Sequence, residues 1–226
     1  MNMGIEAIER ILPEGIPFPA TRSYSLFAKS RMMQAFYRDV AVEVAREVSR
    51  GRILDVGTGP GYLCLHISRM APGSEVIGMD ISGDMIRIAL RNAERANVKN
   101  VRFLIEDANK MSFGNETFDL VVSTGSLHHW KEPVRVINEI HRILKRGGKA
   151  LIYDLWRDAP RNLVKRKLRE CGYGLATGLL IYSVVRAHSS ITTESIVRVL
   201  KRSMFRKYSV EEGWSSYPVV KVTLFK

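Results

Sequence analysis

Ile53-Leu54-Asp55-Val56-Gly57-Thr58-Gly59-Pro60-Gly61 carries a short apolar strand into three alternating glycines, and the periodic stretch Gly61–Met70 then reads as a helix. Glycine has no Cβ, so the chain can turn sharply and a ligand can approach the backbone N–H groups. The following helix N-terminus offers unpaired donors and partial positive charge. In an open α/β sheet, ligands bind at this end of the strand. The spacing discriminates between ligands. A dinucleotide fingerprint runs G-x-G-x-x-G, whereas these glycines run G-x-G-x-G behind an acid, Asp55, two residues earlier. That carboxylate would repel a pyrophosphate and attract an ammonium group. The loop therefore points to a ligand with an amino-acid end and a nucleoside.

Outward from this loop the chain alternates. Apolar runs at Arg52–Val56, Glu75–Met79, Val101–Ile105, Phe118–Ser123 and Lys149–Leu155 predict strands. Gly61–Met70, Gly83–Ala96 and Glu132–Leu144 predict the helices between them, and residues 30–49 another ahead of the first strand. Pro133 near one helix start and Gly147-Gly148 past its end follow the usual asymmetry. Strands apolar on both faces and alternating with helices make a parallel sheet covered on two sides. Further on, Thr192–Ser203 predicts a helix capped by Thr192. Phe205–Glu212 and Pro218–Phe225 predict two strands whose short connection permits an antiparallel hairpin but no crossover. Asp80 ends the second strand and Asp107 follows the third. A carboxylate at the first place can accept from both hydroxyls of a ribose, and at the second from an exocyclic adenine amine.

Asp55-x-Gly57-x-Gly59-x-Gly61, Asp80, Glu106-Asp107-Ala108, Phe118-Asp119-Leu120-Val121-Val122-Ser123, Leu127-His128-His129 and Leu144-Lys145-Arg146-Gly147-Gly148-Lys149 together resemble the class I S-adenosylmethionine-dependent methyltransferases. The resemblance is nearest to the small-molecule branch typified by the type 11 domain and the ubiquinone/menaquinone methyltransferases. It implies a Rossmann-like, doubly wound α/β sheet of seven strands in the order 3-2-1-4-5-7-6, with strand 7 antiparallel. It implies one domain over 1–226: an arm or lid (1–29), a cofactor-binding core (30–155), a cap insertion (157–190), and a last helix with a hairpin (191–226). It implies S-adenosylmethionine as cofactor, S-adenosylhomocysteine as product, and no metal. Asp55, Gly57, Thr58, Gly59 and Gly61 would then hold the methionine portion, and Asp80 the ribose. Ile81 and Met85 would pack on adenine, Asp107 and the Ala108 N–H would read its edge, and Ser123 and Thr124 would stand near the methionine end. Tyr24, in the arm, would close over the cofactor.

Methyl transfer from a sulfonium needs in-line positioning and dry surroundings more than covalent help. The acceptor pocket is expected past strands 4 and 5, among Ser126, His128, His129, Trp130, Tyr153, Asp154 and Trp156, with His129 or His128 as the base if one is used. Strand 4 ends in Ser123-Thr124-Gly125-Ser126, without the Asn/Asp-Pro-Pro-aromatic motif of adenine-amine methylation, and no Cys follows it to attack a pyrimidine. Two cysteines, Cys64 and Cys171, exclude a disulfide framework and a Cys-rich zinc site, and fit poorly with arsenite methylation.

The 226 residues hold 35 Lys plus Arg against 23 Asp plus Glu, a formal net charge of +12. Residues 1–155 are nearly balanced, with 21 basic and 18 acidic side chains, whereas 156–226 carry 14 and 5. The basic third admits three partners: a small anionic or lipid-like acceptor, a membrane surface along 161–185, or RNA. No RNA-binding module accompanies it, so a small-molecule acceptor is the favoured reading. An RNA methyltransferase and a non-catalytic cofactor-binding subunit are the alternatives. The longest uncharged apolar run, Gly172–Val185, is short of the roughly 20 residues that span a bilayer. A cytoplasmic protein is expected, with that apolar stretch available to the core or to a homodimer interface.

Overall fold

The computed structural model describes residues 27–174, 178, 180, 182–183, 186–187 and 189–226. Helix α1 (Arg31–Glu47) leads into β1 (Arg52–Val56), α2 (Tyr62–Met70), β2 (Glu75–Asp80), α3 (Gly83–Ala96), β3 (Val101–Ile105) and β4 (Phe118–Thr124). A 3-10 turn at Leu127–His129 then precedes α4 (Pro133–Ile143), β5 (Leu144–Leu155), α5 (Arg161–Glu170), α6 (Thr193–Lys201), β6 (Lys207–Glu212) and β7 (Val219–Phe225). Among the described residues the strands form one seven-stranded sheet in the order β3-β2-β1-β4-β5-β7-β6. Neighbours from β3 to β5 pair in parallel, while β7 runs antiparallel to both β5 and β6. This is the expected topology.

Period-2 alternation along β1 builds a core on each side of the sheet. Ile53 joins the layer under α1, α2 and α3, while Leu54 and Val56 join the layer under α4 and α6. Burying one such side chain contributes about 1.5–3 kcal/mol, so a one-residue register slip, which would invert every position, is strongly opposed. Asp55 shares the parity of Ile53, and its carboxylate is accordingly delivered to the α2 side. Local signals set the helix ends. Ser82 caps α3 by accepting from the Met85 N–H, and Asn97 closes it in the left-handed conformation.

Among the boundaries that differ from the sequence expectation, two have a tertiary cause. The fourth helix stops at Ile143, and Leu144 pairs with Phe118 as the first residue of β5. Lys145–Gly148 then form an irregularity before Lys149 pairs with Leu120, so Gly147-Gly148 lie within a strand rather than after a helix. Gly147 (φ +76°) instead donates its N–H to Lys226 O at 3.0 Å. Phe205 is not a strand residue either. Its ring is buried, edge-on to His141 at 4.9 Å.

The connection between β6 and β7 is an anchor as well as a turn. Trp214 and Tyr217 pack their rings around Phe36 of α1, at 6.2 and 5.2 Å, and Trp214 also meets Tyr153 of β5 at 4.8 Å. Some of the basic residues of the last third are used by the fold itself. Lys221 pairs with Glu43, Lys226 Nζ donates to Leu144 O at 2.6 Å, and Lys167 Nζ stands 3.8 Å from the Tyr217 ring. Arg161, Lys165, Arg166 and Arg169 of α5 remain exposed. No helix among the described residues is long and apolar enough to cross a membrane.

Candidate functional site

The loop after β1 is tied to the neighbouring strand. Gly57 and Thr58 both donate their N–H to Met79 O, at 2.9 and 2.8 Å, and Gly59 donates its N–H to Asp80 Oδ2 at 2.9 Å. Gly57, at φ +74°, lies so close to the turn after β4 that a Cβ there would fall 2.1 Å from Ser126 Oγ. Only glycine meets both demands.

Beneath the loop, Asp55 is buried. Its Oδ2 accepts from Thr58 Oγ1 at 2.7 Å and from Cys64 Sγ at 3.4 Å, while Oδ1 has no hydrogen-bond partner. Burial pushes its carboxyl up to about 6, against those two hydrogen bonds and with help from the nearby Asp80 charge. Asp80 is also pushed upward by burial, opposed by the Ser82 and Gly59 N–H groups, which donate to its two oxygens. A buried, orphaned carboxylate oxygen beside a glycine loop is chemically matched to a cation.

These elements wall one cleft. Gly57, Gly59, Asp80, Ile81 and Met85 line one side, and Glu106, Asp107, Ala108 and Asn109 continue it after β3. Gly125, Ser126, His129 and Trp130 close it from the turn after β4. Ile81 keeps an unusually exposed side chain at 41%, an apolar surface open to a flat ring. Asp107 Oδ1 accepts from the Asn109 N–H at 2.8 Å and from Asn109 Nδ2 at 2.9 Å. A wider, shallow hollow of about 1270 Å³ runs along α4 and shares no residue with this cleft. The Glu132–Arg135 and Glu139–Arg142 pairs on its wall neutralise each other.

Of the residues singled out from sequence, Gly57, Gly59, Asp80, Ile81, Met85, Asp107, Ala108 and His129 therefore meet in the cleft. Asp55 and Thr58 lie below it as support, and Gly61 (φ +80°) starts α2. Ser123 is fully buried and spends its hydroxyl on Val56 O at 2.8 Å, and Thr124 is buried at the end of β4. Tyr24, like most of the arm, lies outside the described residues. Among the acceptor-side candidates, Ser126, His129 and Trp130 line the cleft, but Tyr153 does not. Tyr153 is wholly buried and its hydroxyl donates to Glu43 Oε2 at 2.8 Å, because its parity along β5 sends it to the α1 side. Trp156 packs between two apolar clusters.

His128 turns away to Asp154 of β5, whose carboxylate takes both its ring Nδ1 (2.8 Å) and its backbone N–H (3.1 Å). The His129 ring lies tilted against it, with ring centres 3.9 Å apart and planes at 47°. Burial first, and the neighbouring His128 second, hold the His129 imidazole down to about 4, against the upward pull of Asp154. His129 is thus neutral at pH 7. Asn109 and Gly125 were not picked out from sequence. Gly125 had a usable signal, a lone glycine directly after a strand. Asn109 had none, since an Asn two residues after an Asp is common in any turn.

A family profile described as methyltransferase domain matches residues 47–198. Demethylmenaquinone methyltransferase of Thermus thermophilus is 36% identical over 118 residues, covering 52% of this chain and 53% of that protein. The chloroplastic 2-methyl-6-phytyl-1,4-hydroquinone methyltransferase 2 of Oryza sativa subsp. japonica is 37% identical over 114 residues, covering 50% and 32%. The chain thus matches about half, or less, of the length of these curated relatives. A Methanococcus maripaludis structure provisionally assigned as an S-adenosyl-L-methionine-dependent methyltransferase superposes with a TM-score of 0.75 at 21% identity, over 95% of this chain and 97% of that one. That likeness carries the fold alone.

Proposed function

The chain belongs to the methyltransferase-domain family, and from that premise we propose that its cleft binds S-adenosylmethionine for in-line methyl transfer to a small molecule with a hydroquinone-type ring. The observation that carries the reading is the vertical order of the site. An orphaned buried carboxylate (Asp55) underlies a glycine loop, and a second carboxylate (Asp80) stands at the adjoining strand end beside an exposed apolar side chain (Ile81). That order matches, in sequence, an ammonium, a ribose and a flat base. Gly57, Gly59 and Gly61 keep the backbone open for the methionine portion, with Thr58 orienting Asp55. Asp80 accepts from the ribose hydroxyls, Ile81 and Met85 pack on adenine, and Asp107 and the Ala108 N–H read its edge. Ser123 and Thr124 shape the methionine end from below. When bound, the sulfonium supplies an activated methyl group, and the protein's work is to align the acceptor and exclude water. The hydroquinone-type acceptor rests on the activities named for the two relatives.

The test is transfer from methyl-labelled S-adenosylmethionine in a cell extract, divided into RNase-treated and organic-extracted fractions. Label is expected in organic-soluble product, and label that vanishes with RNase would overturn the acceptor class.

Asp55 adds a second prediction. Its carboxyl is raised in the fold, so the folded chain binds a proton more readily than the unfolded one. Ligand-free stability is then highest at low pH with respect to this group and falls as pH rises from 3.8 through about 6. Asp55→Asn removes the penalty. The ligand-free variant should melt above the wild type at pH 8 and lose that advantage at pH 4, while binding S-adenosylhomocysteine about 10- to 100-fold more weakly. Scanning calorimetry at the two pH values reads the first effect. A variant that melts lower at pH 8 would contradict it.

A further inference from the structure

We infer that the His128–Asp154 pair is the proton acceptor of the transfer: His128 Nε2 takes a hydroxyl proton from the bound acceptor, and Asp154 positions the ring to do so. The inference rests on the methyl-transfer reading above and narrows its acceptor to one with an acidic hydroxyl. Asp154 is buried at the end of β5, and its two oxygens accept from three N–H donors: His128 Nδ1 at 2.8 Å, His128 N at 3.1 Å and Leu155 N at 2.7 Å. A carboxylate only accepts, so Nδ1 carries a proton, and in the neutral ring Nε2 holds the lone pair. Nε2 is buried and has no hydrogen-bond partner. A structural latch would need only the bond from the His128 backbone to Asp154, which any residue could make. The bare imidazole nitrogen is what that role leaves unexplained.

Position supports the assignment. Ser126, His129 and Trp130, which flank His128 in the chain, all line the cleft. His128 itself lies behind that lining with Nε2 closed to bulk water, so an acceptor hydroxyl meets it only where the acceptor parts the Ser126–Trp130 turn. His129 is itself a poor base, being held down to about 4. The titratable groups set against the His128 ring are Asp154, from the packed strand β5, and His129, beside it on the same turn. In the step, the proton moves from acceptor oxygen to Nε2 and the O–H pair stays on the acceptor. That oxygen pair forms the bond to the methyl carbon, giving a methyl ether with no further proton to remove, and the breaking carbon–sulfur pair returns to sulfur.

Two measurements test this. In chain labelled with 15N-histidine, the His128 signals, identified by their loss in His128→Gln, are expected to show the proton on Nδ1 at pH 7. Asp154→Asn is expected to shift it toward Nε2. With 1,4-naphthohydroquinone as probe acceptor, His128→Gln should lower kcat about 100-fold, in the range of a lost general base, with S-adenosylhomocysteine affinity unchanged. Asp154→Asn should lower kcat about 10-fold with KM little changed, because the ring stays but loses the partner that positions it. A resting His128 protonated on Nε2, or a His128→Gln variant with wild-type kcat, overturns the inference. If the wild type binds S-adenosylhomocysteine but leaves the probe unlabelled, the hydroquinone reading fails instead, and the tautomer then decides the pair.

Discussion

Asp80→Ala is expected to weaken S-adenosylhomocysteine binding by about 100- to 1000-fold, the loss of two charge-assisted hydrogen bonds to a ribose. In the ligand-free chain the Asp80 oxygens accept from the Gly59 and Ser82 N–H groups, so the carboxylate also ties the glycine loop to the start of α3. Alanine removes both roles, and part of the loss comes from a looser loop. Asp80→Asn separates them. Its amide oxygen can keep one backbone bond but brings no charge, and about a 10-fold loss is expected. Isothermal calorimetry on variants with wild-type circular dichroism reads both. An unchanged Kd for Asp80→Ala would remove the cofactor assignment.

Gly57→Ala should be nearly as damaging for a different reason. At φ +74° an L-residue pays about 1–2 kcal/mol of backbone strain. The added methyl would also lie 2.1 Å from Ser126 Oγ and 2.8 Å from its Cβ, so the loop or the turn after β4 must move. Both border the cleft, and about 100-fold weaker binding is expected, as for small displacements of a positioned site. Gly57→Ala with Ser126→Gly removes the clash but leaves the strain. It should recover roughly half of the lost binding free energy if the two costs are comparable. A double variant no better than Gly57→Ala would assign the whole effect to backbone strain.

Much of the framework was legible because local chemistry and tertiary packing agree. Arg52–Val56 and Val101–Ile105 are strands with the expected bounds, since each is an apolar run ended by turn residues. Gly83–Ala96 is a helix with the expected bounds, since Ser82 caps it and Asn97 stops it. Where the two disagree, packing wins. Leu144 has the pattern of a helix end, yet pairing with Phe118 puts it in β5. Phe205 opens the expected strand Phe205–Glu212, yet its ring is worth more against His141 than on an edge strand with one solvated face. Tyr153 is expected near the acceptor because it lies toward the end of the fifth strand, but strand parity turns it to the other face.

The glycine loop and the acids at the strand ends could be read from the amino-acid sequence alone, because backbone freedom, charge and strand periodicity are local properties. The sequence also located the excess basic charge in the last third, though not its use. Tertiary structure decided which side chains share a cavity. It buried Ser123 against Val56 O, left Asp55 Oδ1 without a partner, and joined His128 to Asp154 across 26 positions of chain. Those outcomes depend on β4 and β5 lying side by side in register and on how deeply each strand end is covered, and distance and desolvation arise only once the sheet has assembled.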